Sequence, residues 1–273
     1  MRLLAFRKRL KIVFKKRRKK FDKHIHIYND KVGYGFLEAI RTIRTRVMRE
    51  MNRVGGQVIM ITSSVPGEGK STIAANLALS LAERGKQVVL VDMDLRNPSI
   101  GKVLGMKGQT KIGMSDILKG KCAAEEAIQS LEEWGLDVIV GGNPQSDPAK
   151  LLSTKRLGEV VDGLEERYDY VVLDTPPAAM LSDASAVAGC ADCALYVVKQ
   201  DYARIERIAE GMDMLTISKL PIIGAILNGA ERTFGGYGGY RYGRYSHYGV
   251  YGERVKEGEE NTEYVEVGEQ QEK

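Results

Sequence analysis

The chain has 273 residues, 43% hydrophobic and 28% charged, an ordinary soluble-protein composition that can bury a sizeable core. No apolar run approaches the roughly 18 residues of a membrane-spanning helix, so an integral membrane protein is not expected. Three cysteines exclude a disulfide scaffold and suit a reducing compartment. The net charge of +5 averages over opposed segments, because residues 1–23 hold twelve Lys or Arg against Asp22, a balance of +11, which leaves −6 for the rest.

The basic arm, residues 1–30, places Leu3, Phe6, Leu10 and Val13 at helical spacing, with Lys and Arg around them and KKRRKK following. Such a helix suits an anionic membrane surface. The apolar stretch is too broken for a signal peptide. Nucleic-acid binding is the next reading of a basic run, but no recognition module accompanies it and no nucleic acid is expected. A solvated arm without a ligand is the third.

From residue 31 to 230 short apolar runs alternate with helical stretches. Strands are predicted at 58–62, 88–92, 136–140, 170–174, 193–199 and 222–228, each apolar nearly throughout, as strands covered on both faces are. The clearest helices are predicted at 71–84, 154–167 and 203–215, with Gly85 as a stop for the first. This pattern predicts a single α/β domain of three layers around a mainly parallel sheet, with ligands at the carboxyl ends of the strands.

The first strand runs through SSVPGEGKST into the first of these helices. That is a phosphate-binding loop of the P-loop NTPase type. Pro66, Gly67, Glu68, Gly69, Lys70, Ser71 and Thr72 are the candidate nucleotide-binding residues: Gly67 and Gly69 let backbone N–H groups curl around an anion, Lys70 reaches the β- and γ-phosphates of ATP, and Ser71 offers a hydroxyl to Mg²⁺. Ser64 stands where the motif usually has its first glycine. The next strand ends in VDMDLR, and Asp92 and Asp94, two residues apart, project to one side of an extended chain. Asp174 closes a later apolar strand before Pro176 and Pro177, where a carboxylate holding Mg²⁺ or its waters belongs. Any one of these could be a turn or capping residue. Three converging on one loop point to phosphoryl chemistry.

These residues resemble the bacterial protein-tyrosine kinases, the autokinases of capsule and exopolysaccharide synthesis, over about residues 28–251. The likeness rests on the loop, on VDMDLR, on VVLDTPP with Ser182-Asp183-Ala184 after it, on GMSDILKGK and GGNPQSDPAKLL, and on the terminal tyrosines. By resemblance, Asp94 and Asp174 join Ser71 at the metal. Asp92 is the candidate base for a tyrosine hydroxyl of pKa near 10, although Asp92 and Asp94 could exchange roles. Asn228 is similar to the family's purine contact, and it also reads as a strand-ending turn residue. Glu38, Arg41 and Arg44 form the E-x-x-R-x-x-R that the family uses to pack subunits into a ring. Without the likeness they would be a solvated helix face.

Beyond residue 230 the chain lacks the aliphatic content of a core. Tyr237, Tyr240, Tyr242, Tyr245, Tyr248 and Tyr251 lie in a glycine-rich background, followed by an acidic end with eight Glu between residues 252 and 273. Residues 231–273 are expected to be a flexible tail carrying the phosphoacceptors. The resemblance implies a cytoplasmic enzyme, peripheral at the inner face of the cell membrane. Its implied partners are a homo-oligomeric ring, a transmembrane activator similar to a polysaccharide co-polymerase, and a cognate tyrosine phosphatase.

Two other classes share such a loop. The partition and septum-positioning ATPases have an additional lysine where this chain has Val65, and a non-catalytic nucleotide-binding scaffold needs no complete Lys, Ser and Asp set. Cys190 and Cys193 form a C-x-x-C without further paired ligands, which reads as core packing. The histidines His24, His26 and His247 are too few for a histidine-rich metal site.

Overall fold

In the computed structural model, which describes residues 27–28, 32–106, 112–179 and 182–230, the apolar runs assemble into one sheet. The basic arm, apart from its last described residues, and the tyrosine tail lie outside the described residues. Helix α1 (Tyr34–Val54) leads into β1 (Val58–Ser63), α2 (Lys70–Ala82), β2 (Val88–Asp92) and the short α3 (Ile100–Val103). After them come α4 (Met114–Leu118), α5 (Ala124–Ala127), β3 (Gln129–Leu131), β4 (Leu136–Ile139), α6 (Pro148–Leu152) and α7 (Lys155–Glu165). The chain continues through β5 (Tyr170–Asp174), α8 (Ser182–Ala188), β6 (Cys193–Lys199), α9 (Ile205–Ile217) and β7 (Ile222–Asn228).

The sheet has seven strands in the order β3-β4-β2-β5-β1-β6-β7. All pairings are parallel except that of β3 with β4. Every residue of β1, β2 and β5 is buried, which is why these strands read as unbroken apolar runs. Alternate residues serve opposite faces. Ile59, Ile61, Leu90 and Val172 pack under α1 and α2, while Val58, Val89, Val91 and Leu173 meet α4 and α7 on the other side. Helix α2 is buried nearly all round, as a helix held between α1 and the sheet must be.

The first crossover carries the chain from β1 over to β2 and leaves room for β5 between them. The carboxyl ends of β1, β5 and β2 therefore lie side by side, with Ile61 in register with Asp174 and Asp174 with Asp92. That is where an open α/β sheet binds ligands.

Boundaries shift slightly from expectation. Strand β1 runs one residue further, β4 ends one earlier, and α2 begins at Lys70 and ends at Ala82, with Gly85 at φ 72 behind it. The family-like segments GMSDILKGK and GGNPQSDPAKLL abut one another. The N–H groups of Met114 and Ser115 donate to the carbonyls of Val140 and Gly141 at 2.8 and 3.1 Å. A side chain at Gly113 would strike Gly142.

Candidate active site

The phosphate loop spans residues 64–69, between the end of β1 and the start of α2. Gly67 and Gly69 take φ of 86° and 95°, a region that side-chain-bearing residues seldom occupy. Among the described residues only Asp201 and Lys219 combine a side chain with positive φ, so the backbone at Ser64 needs no glycine. This accounts for the departure from the usual motif.

Glu68 is fully buried beneath the loop. Its carboxylate accepts the N–H groups of Ser64 at 2.6 Å, Val65 at 2.8 Å and Lys199 at 3.3 Å. The side chain therefore braces the loop from inside, which leaves only its backbone for a ligand. Asn228 reaches the same loop from the end of β7, its amide donating to the Glu68 carbonyl at 2.8 Å. Pro66 and Gly67 are exposed at the rim, and Thr72 lies in the first turn of α2.

Lys70 points across the carboxyl ends of the strands. Its Nζ lies 2.9 Å from Asp94 Oδ2, 3.8 Å from Asp174 Oδ1 and 3.3 Å from Ser71 Oγ. Burial works against its charge, but Asp174 and Asp94 outweigh that and hold its pKa above the ordinary lysine value. Asp92 is oriented differently. Its carboxylate accepts the backbone N–H groups of Ser99 at 2.8 Å, Ile100 at 3.0 Å and Asp94 at 3.1 Å. Burial and the charge of Asp174 push it up to about 7, against the pull of those N–H groups.

Asp174 is wholly buried, and neither of its carboxylate oxygens accepts a hydrogen bond. Burial raises it to about 6, with Lys70 and then the nearby Ser71 hydroxyl opposing, although that hydroxyl falls short of hydrogen-bond geometry. A buried carboxylate without donors is costly unless a cation completes it. Asp174, Asp94 and the Ser71 hydroxyl fit Mg²⁺, an ion that takes one or two carboxylates and leaves its remaining positions to phosphates and water. Among the described residues no group of three or more His, Cys, Asp or Glu gathers as a metal cage.

Three contacts around the site were not legible in the sequence. Ser99 Oγ donates to Ser71 Oγ at 2.8 Å. Arg96 grips the buried Asp183 with two nitrogens, at 2.6 and 3.2 Å, and reaches the Ser146 carbonyl at 3.2 Å, tying the loop that bears Asp94 to α8. Tyr202 lies against Gly67. Only the charged type of Arg96 in VDMDLR hinted at any of these.

The E-x-x-R-x-x-R side chains divide. Arg44 is buried, bonded to the Ser80 carbonyl at 2.9 Å and the Ser80 hydroxyl at 3.0 Å on α2 and to Glu83, just past its end, at 2.8 Å. Arg41 meets Glu38 at 3.0 Å and the Tyr28 hydroxyl at 3.1 Å, and it and Glu38 are about two-fifths exposed. Cys193 is a buried strand residue with its thiol pushed up to about 12 by burial, and Cys190 is also raised, as suits packing residues. Among the described residues no helix is long and apolar enough to cross a membrane.

A family model described as an AAA domain matches residues 56–217. The Bacillus subtilis tyrosine-protein kinase YwqD is 38% identical over 196 residues, which cover 71% of this chain and 81% of YwqD. The chain belongs to the bacterial tyrosine-protein kinases. Within that family the Escherichia coli kinase etk is 30% identical over 193 residues, and the match spans only 26% of its length. The solved kinase domain of that E. coli protein superposes with a TM-score of 0.66 at 28% identity, covering 73% of this chain and 80% of that one. The septum site-determining protein MinD of Pyrococcus horikoshii, solved with Mg-ADP, gives 0.57 at 27% identity, covering 65% and 72%. The tyrosine kinases therefore share their sheet with a nucleotide-binding class, and nucleotide with Mg²⁺ is the ligand class this fold serves.

Proposed function

We propose that the chain is an ATP-dependent protein-tyrosine autokinase that phosphorylates its own C-terminal tyrosine cluster between subunits of a ring. The observation that carries this reading is the buried trio of Lys70, Asp94 and Asp174 at the mouth of a complete phosphate loop. Phosphoryl transfer needs positioning and charge neutralisation more than covalent chemistry from the protein.

Lys70 and the loop N–H groups would hold the terminal phosphates. Ser71, Asp94 and Asp174 would hold Mg²⁺, which when bound neutralises charge on those phosphates. Asp92 remains the candidate base: burial and the neighbouring Asp174 raise its carboxyl above the ordinary carboxylate range, the direction a base working at neutral pH needs. The tyrosine oxygen forms a bond to the γ-phosphorus, the bond from that phosphorus to ADP breaks, and the hydroxyl proton passes to the base. Asn228 would contact the purine from its place beside Glu68. Tyr237, Tyr240, Tyr242, Tyr245, Tyr248 and Tyr251 are the proposed acceptors, and Glu38 and Arg41 the proposed subunit contact, with the buried Arg44 bracing the helix that presents them.

By family resemblance the enzyme would regulate capsular or exopolysaccharide synthesis and export. A transmembrane activator would prompt nucleotide binding, and a tyrosine phosphatase would reset the tail. The basic arm would place it against an anionic membrane surface on the cytoplasmic side. The likeness to MinD favours one rival, an ATPase that passes phosphate to water. Incubating the purified chain with Mg-ATP and probing for phosphotyrosine decides between them: a kinase labels its tail, whereas an ATPase releases phosphate without label.

A further inference from the structure

The turn between β6 and α9 brings an aromatic ring onto the phosphate loop. It is fastened at both ends of its first step: Lys199 N–H donates to Glu68 at 3.3 Å and Gln200 N–H to the Asn228 carbonyl at 3.0 Å. Asp201 then adopts φ 53°, a left-handed conformation that Asp tolerates better than most residues. The reversal lays Tyr202 back over the loop, where its hydroxyl fills the space a side chain at Gly67 would need. The Asn228 amide fills the equivalent space at Gly69. Two side chains from the β6–β7 edge thus wall the loop at alternate residues.

Tyr202 is half exposed although its tip is in contact, and the Lys199 ammonium stands 4.7 Å from its ring centroid. A half-exposed ring with a cation over one face can offer its remaining exposed surface to a planar ligand, and a ring resting on a phosphate loop lies beside whatever extends beyond those phosphates. In a nucleoside triphosphate that part is the nucleoside. We infer that Tyr202, which no motif in the sequence marks, is a nucleotide-binding residue whose exposed ring stacks on the nucleoside, completing a wall with Asn228. The inference rests on the loop being a nucleotide site.

Calorimetric titration of the full chain with ADP and with inorganic tripolyphosphate, both with Mg²⁺, separates the nucleoside contact from the phosphate contact. Tyr202→Ala is expected to weaken ADP roughly tenfold or more, the scale of lost base–aromatic stacking, and to leave tripolyphosphate affinity unchanged. Tyr202→Phe is expected to retain ADP affinity, because the ring and not the hydroxyl makes the contact. Equal ADP affinity in Tyr202→Ala and the unaltered chain would overturn the inference. So would a parallel loss of both ligands, which would make Tyr202 a prop for the loop. An unaltered chain that binds tripolyphosphate and ADP equally would overturn the nucleoside contact alone, and one that binds neither would overturn the loop assignment as well.

Discussion

The Lys70 ammonium is held 2.9 Å from the Asp94 carboxylate, so the loop's cation and the proposed metal ligand neutralise each other in the protein alone. Nucleotide binding would exchange these partners: phosphate for Asp94 at Lys70, and Mg²⁺ for Lys70 at Asp94. Buried charges seldom stay unpaired, and the exchange keeps every one of them matched.

Glu68 braces the loop through the N–H groups of Ser64, Val65 and Lys199. Glu68→Ala would leave those donors unsatisfied and is expected to destabilise the protein by about 2–3 kcal/mol and to lose nucleotide affinity. Glu68→Gln should recover part of both. Chemical denaturation and ADP titration of the two variants measure this, and an Ala variant with unaltered stability would remove Glu68 from that role.

Asp92 and Asp174 are raised to about 7 and about 6 from an ordinary value near 3.8. Such groups favour the fold most when protonated, below their unfolded pKa, and that contribution declines as pH rises through the folded values. Stability without ligand is therefore expected to fall between about pH 4 and 7. Asp174→Asn should flatten that decline and raise the neutral-pH melting temperature by a few degrees, while weakening the Mg²⁺ site. Melting curves against pH check the sign. A stability that climbs from pH 4 to 7 equally in both proteins would contradict it.

Arg44 is an internal strut, whereas Arg41 and Glu38 reach the surface. Arg44→Ala is expected to cost about 2–4 kcal/mol of stability, because Glu83 and the Ser80 carbonyl lose a buried charged partner. Arg41→Ala should cost under about 1 kcal/mol and act on assembly. Light scattering with denaturation of each single variant separates them. The prediction fails if Arg44→Ala unfolds normally yet dissociates the oligomer.

The parallel strands were legible because each is apolar nearly throughout, and the loop because Gly-Lys-Ser sits between a strand and a helix. Strand β3 was not: QSL is three residues without an apolar run, and it forms because the β4 edge offers unpaired backbone groups. The three aspartates were legible as strand ends, but not Asp92's backbone bonds to Ser99 and Ile100: the Asn97-Pro98 pair marks a turn without marking which carboxylate its N–H groups will meet. Arg44 had a solvated helix face as its plain reading and Glu68 was read only as part of the loop, because the burial of both side chains is set by partners that the local pattern does not show, Ser80 and Glu83 for Arg44 and the start of the turn after β6 for Glu68. Tyr202 depends on a left-handed Asp201 that propensity does not favour.

The central claim is transfer from ATP to the chain's own tyrosines through the loop centred on Lys70. Phosphotyrosine is to be quantified on purified protein after incubation with Mg-ATP, alongside Lys70→Met, whose circular dichroism should match that of the unaltered chain. Label on residues 237–251 is expected in the unaltered protein, with a loss of at least about a hundredfold in the variant. Equal labelling of the folded variant, or phosphate release without any phosphotyrosine in the unaltered protein, would contradict it.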